Sequence, residues 1–187
     1  MTQTNQHEEE SIVLLRDVNG ITVPDGEHTT FTKGQIVTLY QSRGNSFTIF
    51  SDAGQMARID GTDADALGKE TPVNDSITSA TDAESVENNA WEAMRQVFDP
   101  EIPVNVVELG LIYFCKVDPI SNGQHKVDIA MTLTAPGCGM GPVIQHDVER
   151  VVSELSGVDE VNVEVVFDPP WSQDMMSEVA KLELGML

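Results

Sequence analysis

Residues 126–142, KVDIAMTLTAPGCGMGP, contain a strand pattern, a glycine-rich loop and the start of a helix pattern in direct succession. Apolar residues alternate through the first nine positions, with the period of two that is typical of a half-buried strand. Glycines then surround Cys138, and Pro142 stands where a helix best tolerates a missing N–H group, at its first position. The stretch therefore predicts a strand over 126–134 and a helix from about Pro142, joined by a loop that carries a thiol.

Helix and strand patterns continue on both sides of this stretch. We predict a helix that is capped by Thr81 or Asp82 and ends at Asp99-Pro100. A strand over 111–117, a strand over 158–167 and a short helix over about 173–184 follow. The order α-β-β-α-β-α over residues 81–187 predicts a two-layer α+β domain with a three-stranded sheet. The last helix should dock through Met176, Val179, Ala180 and Leu184.

The N-terminal part of the chain has a different character. Residues 12–69 contain short runs rich in β-branched and aromatic residues, separated by turn signals such as Asn19-Gly20 and Lys33-Gly34. This pattern predicts a small all-β domain of four to six strands. Residues 1–11, which offer little to bury, are predicted to be a disordered tail, and residues 70–80 to be a linker.

The chain is strongly acidic, with 10 Lys and Arg residues against 31 Asp and Glu and a net charge of −21. Residues 1–70 carry 5 basic and 11 acidic groups (net −6), and residues 71–187 carry 5 and 20 (net −15). This balance argues against binding to nucleic acid or to anionic membranes, because both need cations to replace counter-ions. With a polar, acidic start unlike a secretory signal, a cytoplasmic location is expected, where both cysteines would be free thiols.

Cys138 is the first candidate for a functional residue. Gly137 and Gly139 allow unusual backbone angles and leave the thiol unshielded. A helix that begins near Pro142 would direct N–H groups and the positive end of its dipole toward the loop. Both effects favour the thiolate, which binds metals or attacks electrophiles. The alternative is a small buried cysteine in a tight turn between strand and helix.

His146 and Cys115 are weaker candidates. His146 follows Cys138 by eight residues and could pair with it in a cysteine-dependent enzyme, although a solvated helix histidine is the simpler interpretation. Cys115, in LIYFCKV, is interpreted first as a packed sheet residue. On a regular strand it would share a face with Val117 and lie opposite Ile112. If the two predicted strands pair, Cys115 could still lie near Cys138.

An acidic loop precedes the first strand of the predicted α+β domain. In DPEIPVNVVELGLIY, residues 99–113, two prolines prevent a helix or a regular strand, so the segment should be a stiff loop. It carries Asp99, Glu101 and Glu108. Carboxylates on a stiff loop near a reactive thiol would suit a metal site or a partner surface, whereas simple helix termination is the plainer interpretation.

Four motifs together resemble one protein family. They are DPEIPVNVVELGLIY, TLTAPGCGMGP, GVDEVNVEVVFDPPW and MMSEVAKLELGML, and in this order they resemble the SufT-type branch of the MIP18-like iron–sulfur cluster assembly proteins, over about residues 80–187. The segment ending RIDGTDADALG resembles the β-rich extension of SufT proteins. The resemblance implies an accessory factor of iron–sulfur protein maturation, with the family's loop cysteine at Cys138 and its DPE acid at Glu101. Relatives often place proline directly after the cysteine, whereas residues 139–141 intervene here.

The cysteine count limits how this chain could handle a cluster. An iron–sulfur cluster takes about four ligands, mostly thiolates, and the chain has two cysteines. Labile ligation is therefore expected, with Cys138 as ligand and with Glu101, His146, Cys115 or a second copy of Cys138 in a homodimer as further candidates. The expected function is non-enzymatic transfer or targeting of clusters to apo-proteins, with assembly proteins and clients as partners. An adaptor that binds no cluster and an enzyme that uses Cys138 and His146 remain as alternatives.

Overall fold

The computed structural model describes residues 10–43, 45–71, 82–99, 102–121 and 123–186. The chain divides into two compact units, residues 1–73 and 74–187. Most of the predicted tail and of the predicted linker lies outside the described residues, as does Glu101. Among the helices described, none is long and apolar enough to cross a membrane.

The described part of the first unit is an antiparallel sheet of six strands. They are β1 (Glu10–Val13), β2 (Val18–Thr22), β3 (His28–Phe31), β4 (Ile36–Arg43), β5 (Ser46–Ser51) and β6 (Met56–Asp60). Their order in the sheet is β1-β4-β5-β6-β2-β3. Phe47, Ile49 and Ile59 belong to a buried apolar cluster that also contains Leu67, at the end of a short 3-10 helix, Gly61–Leu67. The all-β character predicted for this part of the chain is confirmed.

Strand β1 begins earlier than the sequence predicts. Ser11 pairs with Thr38 and Glu10 with Leu39, so residues 10 and 11 belong to the sheet and not to a tail. The physical reason is that backbone pairing at a sheet edge does not require an apolar side chain, and both residues are exposed.

The second unit has the predicted α-β-β-α-β-α order. Its elements are α1 (Ala83–Met94), β7 (Ile112–Pro119), β8 (His125–Met131), α2 (Gly141–Ser153), β9 (Val158–Val165) and α3 (Glu178–Glu183). Strand β8 is central, antiparallel to β7 and parallel to β9. The predicted α+β fold is therefore confirmed. Helix α1 is capped by Asp82, whose carboxylate accepts hydrogen bonds from the N–H and the hydroxyl of Ser85, and these bonds lower the pKa of Asp82.

Helices α1 and α2 contact each other and pack on the three-stranded sheet. Val127, Ile129 and Met131 of β8 are fully or almost fully buried, as their alternation predicts. Helix α1 ends at Met94, before the predicted stop at Asp99, because the chain turns there and Phe98 forms a bridge with Asn105.

An irregularity in β7 changes the face that Ile112 occupies. Ile112 pairs with Met131 and Cys115 with Ile129, so one extra residue is inserted in β7 between these two pairs. Ile112 and Cys115 consequently lie on the same, buried face of the sheet. The expectation that they lie on opposite faces is wrong, because it assumed a regular strand.

The single C-terminal helix predicted over 173–184 is two short pieces. A 3-10 helix, Gln173–Met175, ends at Met176, which is extended, and Ser177 then caps α3 with its hydroxyl. Because of this break, the side chains of α3 face other directions than they would in one continuous helix. Met176 and Ala180 are buried as predicted, but Val179 is exposed, so its predicted docking is wrong.

Candidate functional site

The Cys138 loop, residues 132–140, joins the end of β8 to the start of α2. Gly137 has a φ of +83°, a conformation that other residues adopt only with strain. The carbonyl of Cys138 accepts a hydrogen bond of 3.0 Å from the N–H of Gly141, and the Cys138 N–H donates to Ala135 at 3.4 Å. The Cys138 side chain is half-buried. Backbone turns thus hold this thiol in place while it stays partly open to solvent.

The start of α2 lies directly against the end of the strand. A Cβ atom at Gly141 would meet Leu133 Cδ1 at 2.5 Å, so a larger residue at this position would require the Leu133 side chain or the helix start to shift. The N–H of Gly141 already donates a hydrogen bond to the backbone carbonyl of Cys138, and the N–H of Ile144 donates to the carbonyl of Met140. Pro142 has no N–H. At most one early N–H group, that of Val143, remains for the thiol, which is fewer than the sequence predicts.

Thr132, at the base of the Cys138 loop, is a residue that the sequence analysis missed. Its N–H donates to the carbonyl of Leu111 at 2.8 Å, which ties the loop to the start of β7. Its side chain is completely buried, and its hydroxyl has no hydrogen-bond partner in the part of the chain that the structure describes. A threonine in a strand pattern gives no signal for this, because its burial depends on what packs over it.

The described part of the acidic loop is held by its own polar groups. The side-chain oxygen of Asn105 accepts hydrogen bonds from the N–H groups of Val107 and Glu108, at 3.1 and 2.9 Å. The carboxylate of Glu108 forms an ion pair with Arg95 at the end of α1. Asp99 is buried. The ion pair with Arg95 therefore gives Glu108 a role in fixing the loop. Glu101, the residue that the family resemblance singles out, lies outside the described residues.

His146 lies in the second turn of α2 and is exposed. The neighbouring Asp147 is buried and lies 3.8 Å from Arg150. Among the described residues we find no hydrogen bond that joins His146 to Cys138 or to a carboxylate that would orient its ring. The described residues therefore show no preformed Cys138–His146 pair.

Cys115 is in a very different environment from Cys138. It is buried in β7 opposite Ile129, and burial, together with the nearby carboxylate of Glu87, raises its pKa to about 12. The Cys115 thiol is therefore protonated at neutral pH and is a poor metal ligand. Across residues 10–186, as far as they are described, no three His, Cys, Asp or Glu side chains are grouped to hold a metal ion.

A shallow groove lies where the C-terminal segment, residues 167–186, crosses the acidic loop. The indole N–H of Trp171 donates to the carbonyl of Leu109 at 2.9 Å, and the Tyr113 hydroxyl donates to Pro169 at 2.7 Å. The N–H of Ser177 donates to the backbone carbonyl of Glu108 at 2.9 Å. The groove between these contacts has a volume of 480 Å³ and is lined by Gly110, Ile112, Tyr113, Pro169 and Met175.

Comparison with known proteins places residues 87–165 in one family, described as iron–sulfur cluster assembly protein. A Fe-S protein maturation auxiliary factor of Porphyromonas gingivalis is 48% identical over 101 residues, which are 54% of this chain and 92% of that protein. The Fe-S protein maturation auxiliary factor SufT of Staphylococcus aureus is 44% identical over 90 residues, 48% of this chain and 98% of that protein. A crystal structure of a domain of unknown function, DUF59, from Bacillus anthracis is 40% identical and has a TM-score of 0.50, over 56% of this chain and 96% of that one.

Proposed function

The chain belongs to the iron–sulfur cluster assembly protein family, and from that premise we propose that it is an accessory factor that helps transfer or target iron–sulfur clusters to apo-proteins. The observation that carries this proposal is the half-buried thiol of Cys138, held by backbone turns within the residues that match the family. Relatives named as maturation auxiliary factors support it. Assembly proteins and apo-protein clients are the partners that this role implies, and the cytoplasm is the location we propose.

The cluster is a cargo in this proposal, and Cys138 is its labile ligand. The other cysteine is buried and protonated at neutral pH, so Cys138 is the one accessible thiol that a chain contributes. A cluster needs about four ligands, and the remaining ones would come from Glu101, His146, a second copy of the chain or the client itself. Incomplete ligation suits a factor that must release what it holds.

We propose further that the factor is not an enzyme. Catalysis by Cys138 would require a base within hydrogen-bond reach, and the exposed position of His146 in α2 does not supply one in the described residues. A helix start with at most one spare N–H group, that of Val143, is also a poor site for stabilising an oxyanion.

Anaerobic reconstitution with iron and sulfide tests the proposal. The wild-type chain should acquire iron–sulfur absorption that bleaches readily in air or with a chelator. Cys138→Ser should abolish this absorption, and the matched control Cys115→Ala should retain most of it, because Cys115 is protonated and packed. His146→Ala should leave the alkylation rate of Cys138 by iodoacetamide unchanged.

Two outcomes would contradict parts of the proposal. If the wild-type chain acquires no absorption under strictly anaerobic conditions, cluster handling is excluded and the adaptor interpretation stands. If His146→Ala slows the alkylation of Cys138 at neutral pH by about tenfold, a Cys–His pair exists and the enzyme interpretation gains the advantage.

A further inference from the structure

The large apolar side chains that the second unit exposes are concentrated in one segment. Among the described residues of that unit they are Phe114, Phe167, Met175, Val179, Leu182 and Met186, and five of these six lie within residues 167–186. Single exposed apolar residues are common on protein surfaces, but a cluster of them marks a surface that binds something. We call Met175, Val179, Leu182 and Met186 the C-terminal apolar surface.

Both ends of helix α3 are capped, so this exposure is not a consequence of fraying. At its start, the Ser177 hydroxyl accepts a hydrogen bond of 3.1 Å from the N–H of Ala180. At its end, Gly185 has a φ of +69°, its N–H donates to Leu182, and the N–H of Met186 donates to Lys181. These two bonds form a Schellman motif, which fixes the last turn.

Helix α3 buries a small apolar side chain and exposes two larger ones, which is the opposite of what the burial of apolar area alone would favour. Ala180 is fully buried, whereas Val179 is 59% exposed and Leu182 is 67% exposed. Turning a leucine inward would remove more apolar area from water than turning an alanine inward. The helix therefore keeps its larger apolar side chains available at the surface.

The C-terminal apolar surface adjoins the groove beside the acidic loop. Met175 belongs to both, since it lines the groove together with Tyr113 and Pro169 and is itself exposed. At 480 Å³ the open groove has room for one or two apolar side chains of a partner. Met175 thus connects the exposed apolar residues of this segment with a recess.

The same segment carries an excess of exposed acidic groups. Residues 167–186 contain Asp168, Asp174, Glu178 and Glu183 against the single cation of Lys181, and all four acidic residues are exposed. A second copy of the chain would bring carboxylates against carboxylates, and an anionic lipid surface would be repelled. The complementary ligand is an apolar segment that carries lysine or arginine.

We propose that the C-terminal apolar surface docks a basic amphipathic segment of a partner protein. The apolar side chains of that segment would cover Val179, Leu182 and Met186 and enter the groove at Met175, and its cations would meet the exposed carboxylates of residues 167–186. This interaction goes beyond cluster handling, because the surface does not contain Cys138 and does not depend on a bound cluster.

Titration with a model peptide tests the proposal on the full chain. The probe is a labelled peptide of about 18 residues, five helical turns, with leucines at spacings of three and four and lysines elsewhere. Two control peptides are used. One has the same composition in scrambled order, and the other has glutamate in place of each lysine. Binding is followed by fluorescence anisotropy and, in a Trp91→Phe background, by the emission of Trp171, which lies on the same segment.

The wild-type chain should bind the ordered leucine–lysine peptide saturably and the two control peptides at least about tenfold more weakly. Val179→Ser with Leu182→Ser should weaken binding of the ordered peptide by about tenfold or more. Asp174→Asn with Glu183→Gln, two exposed changes that leave the apolar residues in place, should weaken it and reduce its dependence on salt. The matched control Val13→Ser with Leu15→Ser, at positions 54% and 57% exposed in the first unit, should bind like the wild type.

Three results would overturn the proposal. Equal binding of the ordered and scrambled peptides would show only a general attraction to an acidic protein. If the Val13 and Leu15 variant loses as much peptide binding as the Val179 and Leu182 variant, the C-terminal apolar surface is not the binding site. A wild-type dimer that dissociates in the Val179 and Leu182 variant would make a second copy of the chain the occupant.

Discussion

At the residue scale, the two cysteines show how strongly the surroundings decide what a thiol can do. Cys115 is enclosed by the sheet and α1, and Cys138 is half-buried in a loop between two glycines. The sequence predicts this contrast, because an apolar strand pattern, LIYFCKV, surrounds one residue and a glycine-rich turn surrounds the other. The bulge that places Ile112 beside Cys115 is not predictable, because it depends on how β7 pairs with β8.

The raised pKa of Cys115 predicts a pH dependence of stability. The pKa is about 12 in the folded chain against an ordinary value of 9.0, so the folded state holds this proton more tightly than the unfolded state. This contribution to stability is complete below about pH 9 and is lost as the pH rises toward 12. Urea unfolding at a series of pH values should show this decline, and Cys115→Ala should make it shallower. Cys138→Ala is the control, and an equal slope in wild type and Cys115→Ala would contradict the prediction.

Thr132 gives a second test at this scale. A buried hydroxyl without a partner costs about 1–3 kcal/mol relative to a satisfied one, whereas valine has nearly the same shape and no polar group. We expect Thr132→Val to unfold at equal or higher urea concentration, with a gain of up to about 1 kcal/mol. Thr134→Val, in the same loop and only partly buried, serves as the comparison. A loss of stability in Thr132→Val alone would mean that the hydroxyl has a partner.

At the scale of elements, periodicity predicts most helices and strands, and local side-chain chemistry decides the exceptions. The alternation of β8 and the apolar stripe of α2 follow directly from spacing. The C-terminal helix is interrupted because Ser177 acts as a cap within a segment whose apolar spacing suits one continuous helix. The open orientation of Val179 follows from that break, which is why spacing alone predicts its docking wrongly.

The contact between the end of β8 and the start of α2 makes a prediction about these two elements together. Gly141→Ala would place a methyl group 2.5 Å from Leu133 Cδ1, so the leucine or the helix start must move. We expect a loss of roughly 1–2 kcal/mol, since overpacking outweighs the better helix propensity of alanine. In a double-mutant cycle, Leu133→Ala should make Gly141→Ala markedly less costly. Strict additivity of the two changes would show that they do not share this contact.

At the scale of the whole molecule, the chain joins two units of different composition. The residues that match the family, 87–165, lie entirely within the second unit. The 101 residues shared with the Porphyromonas gingivalis relative are 92% of that protein but 54% of this chain. A protein of about the size of the second unit is therefore sufficient for this fold.

This comparison predicts that the second unit folds alone. In its sheet, β8 pairs with both β7 and β9. Its own core contains residues that are all almost completely buried, namely Met94, Leu109, Ile129, Met131 and Ile144. A fragment of residues 74–187 should therefore unfold cooperatively, with a midpoint temperature within about 5 °C of the corresponding transition in the full chain.

Limited proteolysis of the full chain should cut within residues 70–80 and release a fragment of the same unit. On reconstitution, the 74–187 fragment should acquire the same iron–sulfur absorption as the full chain. The fragment of residues 1–73 is the control, which should unfold separately and acquire none. A 74–187 fragment that aggregates or lacks a cooperative transition would show that the first unit is required for the second to fold.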